Sequence, residues 1–362
     1  MKYQSLSNQI AILLPQKEGF SKNNFGSVSL YVKEINKKSK FKKNIIVCAY
    51  CRNDPFKGFK IRHLSKSYNH LFFGKNFGHT KEFINNFDKK DPPKIIEIHN
   101  RPRSVFQISV SFPESKIFLF YHNDPFSFKE SATVESRLEL IEKCQFICFV
   151  SEYLKKRFLK GLPKTKKINR KLQVIYNGVE PMLNKNRKTK KQNIVFIGEL
   201  TENKGFDIFL DTVQDFCNSY NNWKVDIYGK AKNSKYLIKK NPNIFYHGFL
   251  PHEKIMKKLE KSSICVVPSV WDEPFGRTLL ESVNAGVATI TSVNGGLKEI
   301  ASHFRVIKLK IIDKKTIYNA LKKLIMTKNE IEFYSKNKVS KSPFTLTKIS
   351  HNLDSLRKGI VG

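Results

Sequence analysis

The sequence predicts an α/β chain of two doubly wound domains, each with a parallel sheet covered by helices on both faces. Three observations carry that prediction. Short β-branched apolar runs alternate with amphipathic stretches over almost the whole length, a polar break interrupts the pattern near residues 185–192, and the pattern restarts at IVFIG. Strands that are apolar at consecutive positions, separated by helices, are the mark of a parallel sheet buried on both sides.

Taken in order, the runs Ile10–Leu14, Ile45–Ala49, Ile95–His99, Ile117–Tyr121 and Phe146–Val150 are the expected strands of the first domain. Helical spacing of apolar residues falls at Val28–Asn36, Ser104–Ser111, Ser131–Glu142 and Glu152–Leu159. The segment KNRKTKKQ at Lys185–Gln192 lacks apolar side chains and suits an exposed connection. Beyond it, Ile194–Gly198, Val225–Tyr228, Ile244–His247, Ile264–Val267 and Ala288–Thr291 read as strands. A helix is expected from about Phe206 to Tyr220, and a last one, Lys314–Lys328, closes the second domain. The expected domains are 1–176 and 193–340, with a linker at 177–192 and a C-terminal helix within 341–362 packing back on the first domain. Ligands of such sheets bind beyond the carboxyl ends of the strands, so the ligand is expected in a cleft between the two domains.

Composition narrows the function. Hydrophobic content of 40% and aromatic content of 12% exclude a disordered chain. No apolar run is long enough to span a membrane, and the lysine-bearing N-terminus does not read as a secretory signal, so a cytoplasmic protein is expected. The net charge of +35 has three readings: a lysine-rich solvated surface, contact with an anionic membrane face, and nucleic-acid binding. Lysines cluster at Lys37–Lys43, Lys164–Lys171 and Lys185–Lys191, but no nucleic-acid-binding motif accompanies them, so no nucleic-acid partner is expected. Cys48 and Cys51 have C-x-x-C spacing, yet IIVCAYC and CQFICFV read as buried strands; neither a metal site nor a disulfide is expected.

The chemistry concentrates in WDEPFGRTLLESVNAGVATITSVNGGLKEI, Trp271 to Ile300. Pro274 cannot lie deep in a helix, which places a helix start near Gly276 or Arg277, with Glu273 at its mouth and Glu281 inside it. Helix amino ends bind anions through unpaired N–H groups, while carboxylates accept from hydroxyls. A ligand bearing both phosphates and hydroxyls, such as a nucleotide sugar, fits that set. Phosphate contacts are expected from the amides around Phe275, Gly276 and Arg277, from Gly295 and Gly296 before the next helix, and from Lys204-Gly205 in the first β–α turn of the second domain. His99, Asn100, Arg101, Arg103 and Asp124, at the ends of first-domain strands, are expected either to contact an acceptor or to satisfy loop backbone groups.

WDEPFGRTLLE, with IYNGVE at Ile175–Glu180 and FIGELTENKGFD at Phe196–Asp207, resembles the bacterial retaining glycosyltransferases of family four, whose two-domain fold is called GT-B. FGSVSLYVKEI from Phe25, YHNDP from Tyr121 and VSEYLKKRF from Val150 add weaker matches, so the resemblance covers nearly the full chain. It implies a metal-independent hexosyltransferase with no cofactor, moving sugar from a nucleotide-diphosphate sugar to a saccharide or lipid-linked saccharide, as in lipopolysaccharide assembly. It further implies that Glu273 holds the donor sugar, Glu281 the ribose and Lys204 the diphosphate. His122 would lie near the donor sugar and Gly26 would line the cleft. Many members carry arginine just after the glycine of the first second-domain strand; this chain has Glu199 there, with Arg277 as the expected substitute cation. Glu199 leaves open an inactive partner of another transferase, and the charge leaves open a basic nucleic-acid-binding protein.

Overall fold

Ile10–Leu13 (β1), Ile45–Ala49 (β2) and Ile95–His99 (β4) are buried at every position, the condition under which a strand needs cover on both faces. The computed structural model describes residues 9–51, 54–65, 75–182, 190–231 and 241–361. These fall into two units, one of residues 1–178 plus 346–362 and one of residues 179–345.

The first unit runs β1, α1 (Ser27–Lys37), β2, β3 (Lys60–His63), α2 (Lys75–Asn85), β4, α3 (Pro102–Ser111), β5 (Lys116–Tyr121), α4 (Val134–Lys143), β6 (Phe146–Phe149), α5 (Glu152–Leu159), α6 (Lys166–Lys171) and β7 (Leu172–Val174). All its strand pairings are parallel, in the order β3-β2-β1-β4-β5-β6-β7. The second unit runs β8 (Asn193–Ile197), α7 (Phe206–Ser219), β9 (Lys224–Tyr228), β10 (Ile244–Gly248), α8 (His252–Leu259), β11 (Ile264–Val267), α9 (Arg277–Asn284), β12 (Ala288–Ser292), α10 (Leu297–His303), β13 (Ile307–Leu309), α11 (Lys314–Met326) and α12 (Glu330–Ser335). Its sheet is also parallel, ordered β10-β9-β8-β11-β12-β13. The strand order reverses at β1/β4 in one unit and at β8/β11 in the other. At such a switch point the flanking crossovers part and leave a crevice at the carboxyl ends of the strands.

Packing sets the loops that leave those ends. Helix α7 buries Phe206, Phe209, Val213 and Phe216 on one face against β8 and β9. At about 1.5–3 kcal/mol for each buried side chain, that face contributes on the order of 6–12 kcal/mol and fixes where the preceding turn must lie.

Boundaries differ from the sequence expectation where local chemistry intervenes. Helix α4 starts at Val134 rather than Ser131, because Thr133 Oγ1 accepts from the Ser136 N–H at 3.2 Å and so caps the helix there. Helix α3 starts two residues early, with Pro102 in its first turn. The helix expected to end the second domain stops at Met326 and is followed by α12. The C-terminal helix α13 (Leu346–Val361) belongs to the first unit, where it packs on α1 and β4. Of the expected linker at 177–192, residues 183–189 lie outside the described residues. Val179 bridges Thr345, and the Met182 N–H donates to Asn284 Oδ1 at 3.1 Å, which ties both to the second unit. No described helix is long and apolar enough to cross a membrane.

Candidate functional site

In the second unit, three loops leave the carboxyl ends of β8, β11 and β12 and are fastened to one another. The Val270 and Trp271 N–H groups donate to the Asn203 carbonyl at 3.0 and 3.3 Å. Asn294 Nδ2 donates to the carbonyls of Ser269 and Val270 at 3.1 and 2.9 Å. Gly205, in left-handed backbone at φ +66°, closes the first turn; a Cβ there would meet the Pro268 carbonyl oxygen at 2.1 Å. That close approach requires glycine and brings the β8 turn against the β11 loop.

The fastening delivers Lys204 to Glu273. Lys204 Nζ lies 2.5 Å from Glu273 Oε1, and Ser269 Oγ donates to the same oxygen at 2.7 Å. The Glu273 side chain is 9% exposed and that of Lys204 27%, so the pair is sheltered yet reachable. Lys204 Nζ also stands 5.1 Å from the Trp271 ring centre, a cation–π contact that limits where the ammonium moves. Both hydrogen bonds to the carboxylate fall on Oε1. Among the described residues Oε2 accepts none, which leaves an oriented acceptor.

Helix α9 starts at Arg277, as expected, behind Gly276 at φ +103°, where a Cβ would meet Leu297 Cδ2 at 2.3 Å. Its first turns carry Glu281, whose Oε1 accepts from Arg277 Nε at 2.5 Å and from His252 Nε2 at 2.7 Å. Burial works to raise the Glu281 carboxyl pKa, but Arg277 and His252 outweigh it and hold the value at about 2. A carboxylate depressed in the fold stabilises it above the unfolded value of 4.5, and loses that stabilisation as pH falls toward 2. The contribution is on the order of 3 kcal/mol. Glu281→Gln is therefore expected to flatten the acid side of the stability profile. Urea midpoints of variant and parent should differ at pH 5 and converge toward pH 2, and parallel profiles would contradict the assignment.

Two of the expected donor-site elements have partners within the second unit. The Gly296 N–H is not bare: it donates to the Glu273 carbonyl at 2.7 Å, and Gly295 forms a parallel bridge with Glu273. These glycines hold the Glu273 loop in place. Arg277, the expected substitute cation, has its Nε on Glu281 and its side chain 17% exposed. The Phe275 ring is buried against Phe344, 5.9 Å between centres. Glu199 is exposed at the exit of β8.

In the first unit, the ends of β4 and β5 bring two histidines together. His99 Nδ1 and His122 Nε2 are 2.9 Å apart, and His99 stacks on Phe120. Burial pushes the His122 pKa down to about 3, and burial first, with His122 and Arg357 adding, puts His99 well below the ordinary value. Both rings are thus neutral near pH 7, so one nitrogen of the pair donates and the other accepts. Asn100, at φ +52°, accepts the His122 N–H on Oδ1 at 2.7 Å, and Arg101 Nη1 donates to the Asn100 carbonyl at 2.8 Å. Asp124 caps the turn at Pro125 by accepting from the Phe126 N–H at 3.0 Å and pairs with Arg157 at 2.5 Å. Its contacts are those of a loop anchor, and Arg103 is exposed. Gly26 leaves room for the Glu18 carboxylate, which a Cβ would meet at 2.3 Å and which accepts from the Ser29 N–H at 3.0 Å at the amino end of α1.

Sequence reasoning did not single out Ser269, His252 or Glu18. Ser269 lies only four residues before Glu273 in the same loop, and its spacing was a usable signal. His252 and Glu18 are distant in sequence from their partners and carry none.

Residues 180–338 match the family model described as "Glycosyl transferases group 1". YtcC of Bacillus subtilis, named as a candidate glycosyltransferase, is 24% identical over 238 residues, covering 58% of this chain and 58% of its own. The uncharacterized glycosyltransferase MJ1607 of Methanocaldococcus jannaschii is 29% identical over 189 residues, 46% of each chain. The chain thus spans about half the length of these curated relatives. Among solved structures, Anabaena HepE in complex with UDP and glucose aligns with a TM-score of 0.75 at 13% identity, covering 97% of this chain and 99% of that one. WaaG, a glycosyltransferase involved in lipopolysaccharide biosynthesis, aligns at 0.69 and 15% identity, covering 97% and 100%. At those identities the likeness shows the fold, which is GT-B.

Proposed function

We propose that this chain, whose residues 180–338 match the group 1 glycosyltransferase family model, moves a sugar from a nucleotide-diphosphate sugar to a hydroxyl acceptor with retention at the anomeric carbon. The observation that carries the reading is the Lys204–Glu273–Ser269 cluster at the β8/β11 switch point, with Glu281 held ionised in the following helix.

The electrostatics assign the roles. A departing nucleoside diphosphate gains negative charge as the bond to the sugar breaks, so the group that stabilises it must be cationic and already in place. Lys204 is that group, since Glu273 and the Trp271 ring position it beforehand. A carboxylate facing phosphate would repel it, so Glu273 takes sugar hydroxyls through Oε2, and Glu281 takes ribose hydroxyls. Gly276 and the amino end of α9 add dipolar stabilisation for phosphate. His122, neutral and backed by His99, suits a hydrogen bond to a sugar hydroxyl rather than a charge. His99, Asn100 and Arg101, from the same strand end, are the residues proposed to meet the acceptor. The leaving phosphate serves as the base for the incoming hydroxyl, and no metal is required. Two relatives of unassigned role encoded in the cps region of Klebsiella pneumoniae, 34% and 24% identical over 110 and 143 residues, support a place in bacterial cell-surface polysaccharide assembly. A cytoplasmic location against an anionic membrane face agrees with the net charge of +35.

A melting panel with UDP, GDP, ADP and dTDP tests the donor site. One nucleotide at a hundredfold its Kd is expected to stabilise by about 2.7 kcal/mol, a rise of roughly 5–10 °C. No shift with any of the four would remove the proposal. Glu199, exposed where a cation would help, favours a second reading in which nucleotide binds without transfer. A melting shift with no sugar transfer to any acceptor would select it.

A further inference from the structure

A cavity of about 650 Å³ opens in the second unit, away from Lys204 in sequence and topology, where the end of α10 meets the segment after α12. Its wall includes Arg305, Lys336, Lys338, Lys341 and His303, and no carboxylate. We propose that it binds a phosphate group, carried either by a soluble phosphorylated compound or by a lipid headgroup.

The scaffold beneath these cations is rigid. Asn337, 8% exposed, accepts from the Arg305 N–H at 2.8 Å and donates to the Arg305 and Tyr334 carbonyls at 3.1 and 2.9 Å. That clamp holds the two walls together. The Arg305 guanidinium lies 4.9 Å from the Phe333 ring centre, a cation–π contact that limits where it moves. Phe304 backs the cavity and packs on Phe344, 6.1 Å between ring centres. Of the lining cations, Lys336 is paired with Glu332 at 2.5 Å on the exposed rim. Gathering Arg305, Lys338 and Lys341 around one concavity adds mutual repulsion, which a bound dianion reverses. A concave wall of one sign also concentrates the field inside it. Guanidinium and ammonium groups donate charge-assisted hydrogen bonds for which phosphate oxygens are strong acceptors.

The test is local, because a chain of this charge attracts anions over much of its surface. Inorganic phosphate is titrated into the full chain while backbone amide resonances of 302–305 and 336–341 are followed. Saturable shifts are expected there. The affinity should fall at least tenfold in K336Q/K338Q/K341Q, change less than twofold in the charge-matched K89Q/K90Q/K94Q, and return in K336R/K338R/K341R. Sedimentation with phosphatidylglycerol-containing vesicles separates the sources. Loss of vesicle binding in the first variant alone identifies a headgroup, whereas unchanged vesicle binding with weakened phosphate identifies a soluble phosphate. If the site variant and the control lose equally in both assays, the binding is an adventitious ion only and the proposal fails. None of these substitutions touches the donor cluster, so the outcome is independent of the nucleotide panel.

Discussion

Lys204→Ala is expected to lower kcat/KM for sugar transfer by roughly two to three orders of magnitude, the range seen when one preorganised donor to a developing anion is removed. The expected size follows from position. In this turn Lys204 is the cation that meets Glu273, and the residue at the β8 exit, Glu199, has the wrong sign to share the work. A steady-state comparison of Lys204→Ala with the parent, with melting temperature as the check on folding, reads the effect directly. Glu273→Gln keeps the shape and one acceptor oxygen while removing the charge that holds the ammonium. It should lower kcat as well, and the double variant should fall well short of the product of the two losses, because the residues share a hydrogen bond and act as a unit. Additive losses would mean the pair works through separate contacts. A Lys204→Ala enzyme within twofold of the parent would remove lysine from the mechanism altogether.

How much of this was legible in the sequence follows from what each residue needs. Strands buried on both faces announce themselves: Ile45–Ala49, Ile95–His99 and Ile264–Val267 are bounded in the structure as their apolar runs suggest. The edge strands do not. β3 is KIRH with no buried position, and β7 and β13 are three residues long; an edge strand keeps one side in solvent and has little apolar signal to show. The glutamates at 273 and 281 were visible because Pro274 and Gly276 frame them locally. The pairings that set their chemistry were not. Lys204 and Glu273 are 69 positions apart, and His252 and Glu281 are 29 apart, so only the tertiary fold brings each pair together. Gly295-Gly296 shows the limit from the other side. Two glycines before a helix suggest bare amides, but whether a carbonyl already fills them is decided by the neighbouring loop.

Arg357→Met is expected to cost about 3–5 kcal/mol of stability in the first unit, the range for removing one partner from a buried ion pair. Arg357 is fully buried on α13, and all five of its N–H groups are used. Nε and Nη2 donate to the two oxygens of Glu97 at 2.7 and 2.8 Å, Nη2 also to Asn36 Oδ1 at 2.9 Å, and Nη1 to Ser39 Oγ and Asp354 Oδ1, both at 3.2 Å. Burial alone would lower the guanidinium pKa, yet Glu97 and Asp354 raise it, so the side chain stays charged. Glu97 sits in the middle of β4 and is 1% exposed, too buried for solvent to take the place of the lost cation. A fall in melting temperature of roughly 6–20 °C is expected for a unit of this size. The size of the loss alone does not show that charge is responsible, because a badly packed Met would also destabilise. Glu97→Leu in the Arg357→Met background separates the two. If the cost is an orphaned carboxylate, the second substitution removes it and recovers much of the loss, since apolar replacements of buried pairs are often neutral. If the cost is packing, the double variant is less stable than either single one. Calorimetry on the parent, the two single variants and the double variant decides it, and a loss under 1 kcal/mol for Arg357→Met would mean the C-terminal helix is held by its apolar face rather than by this network.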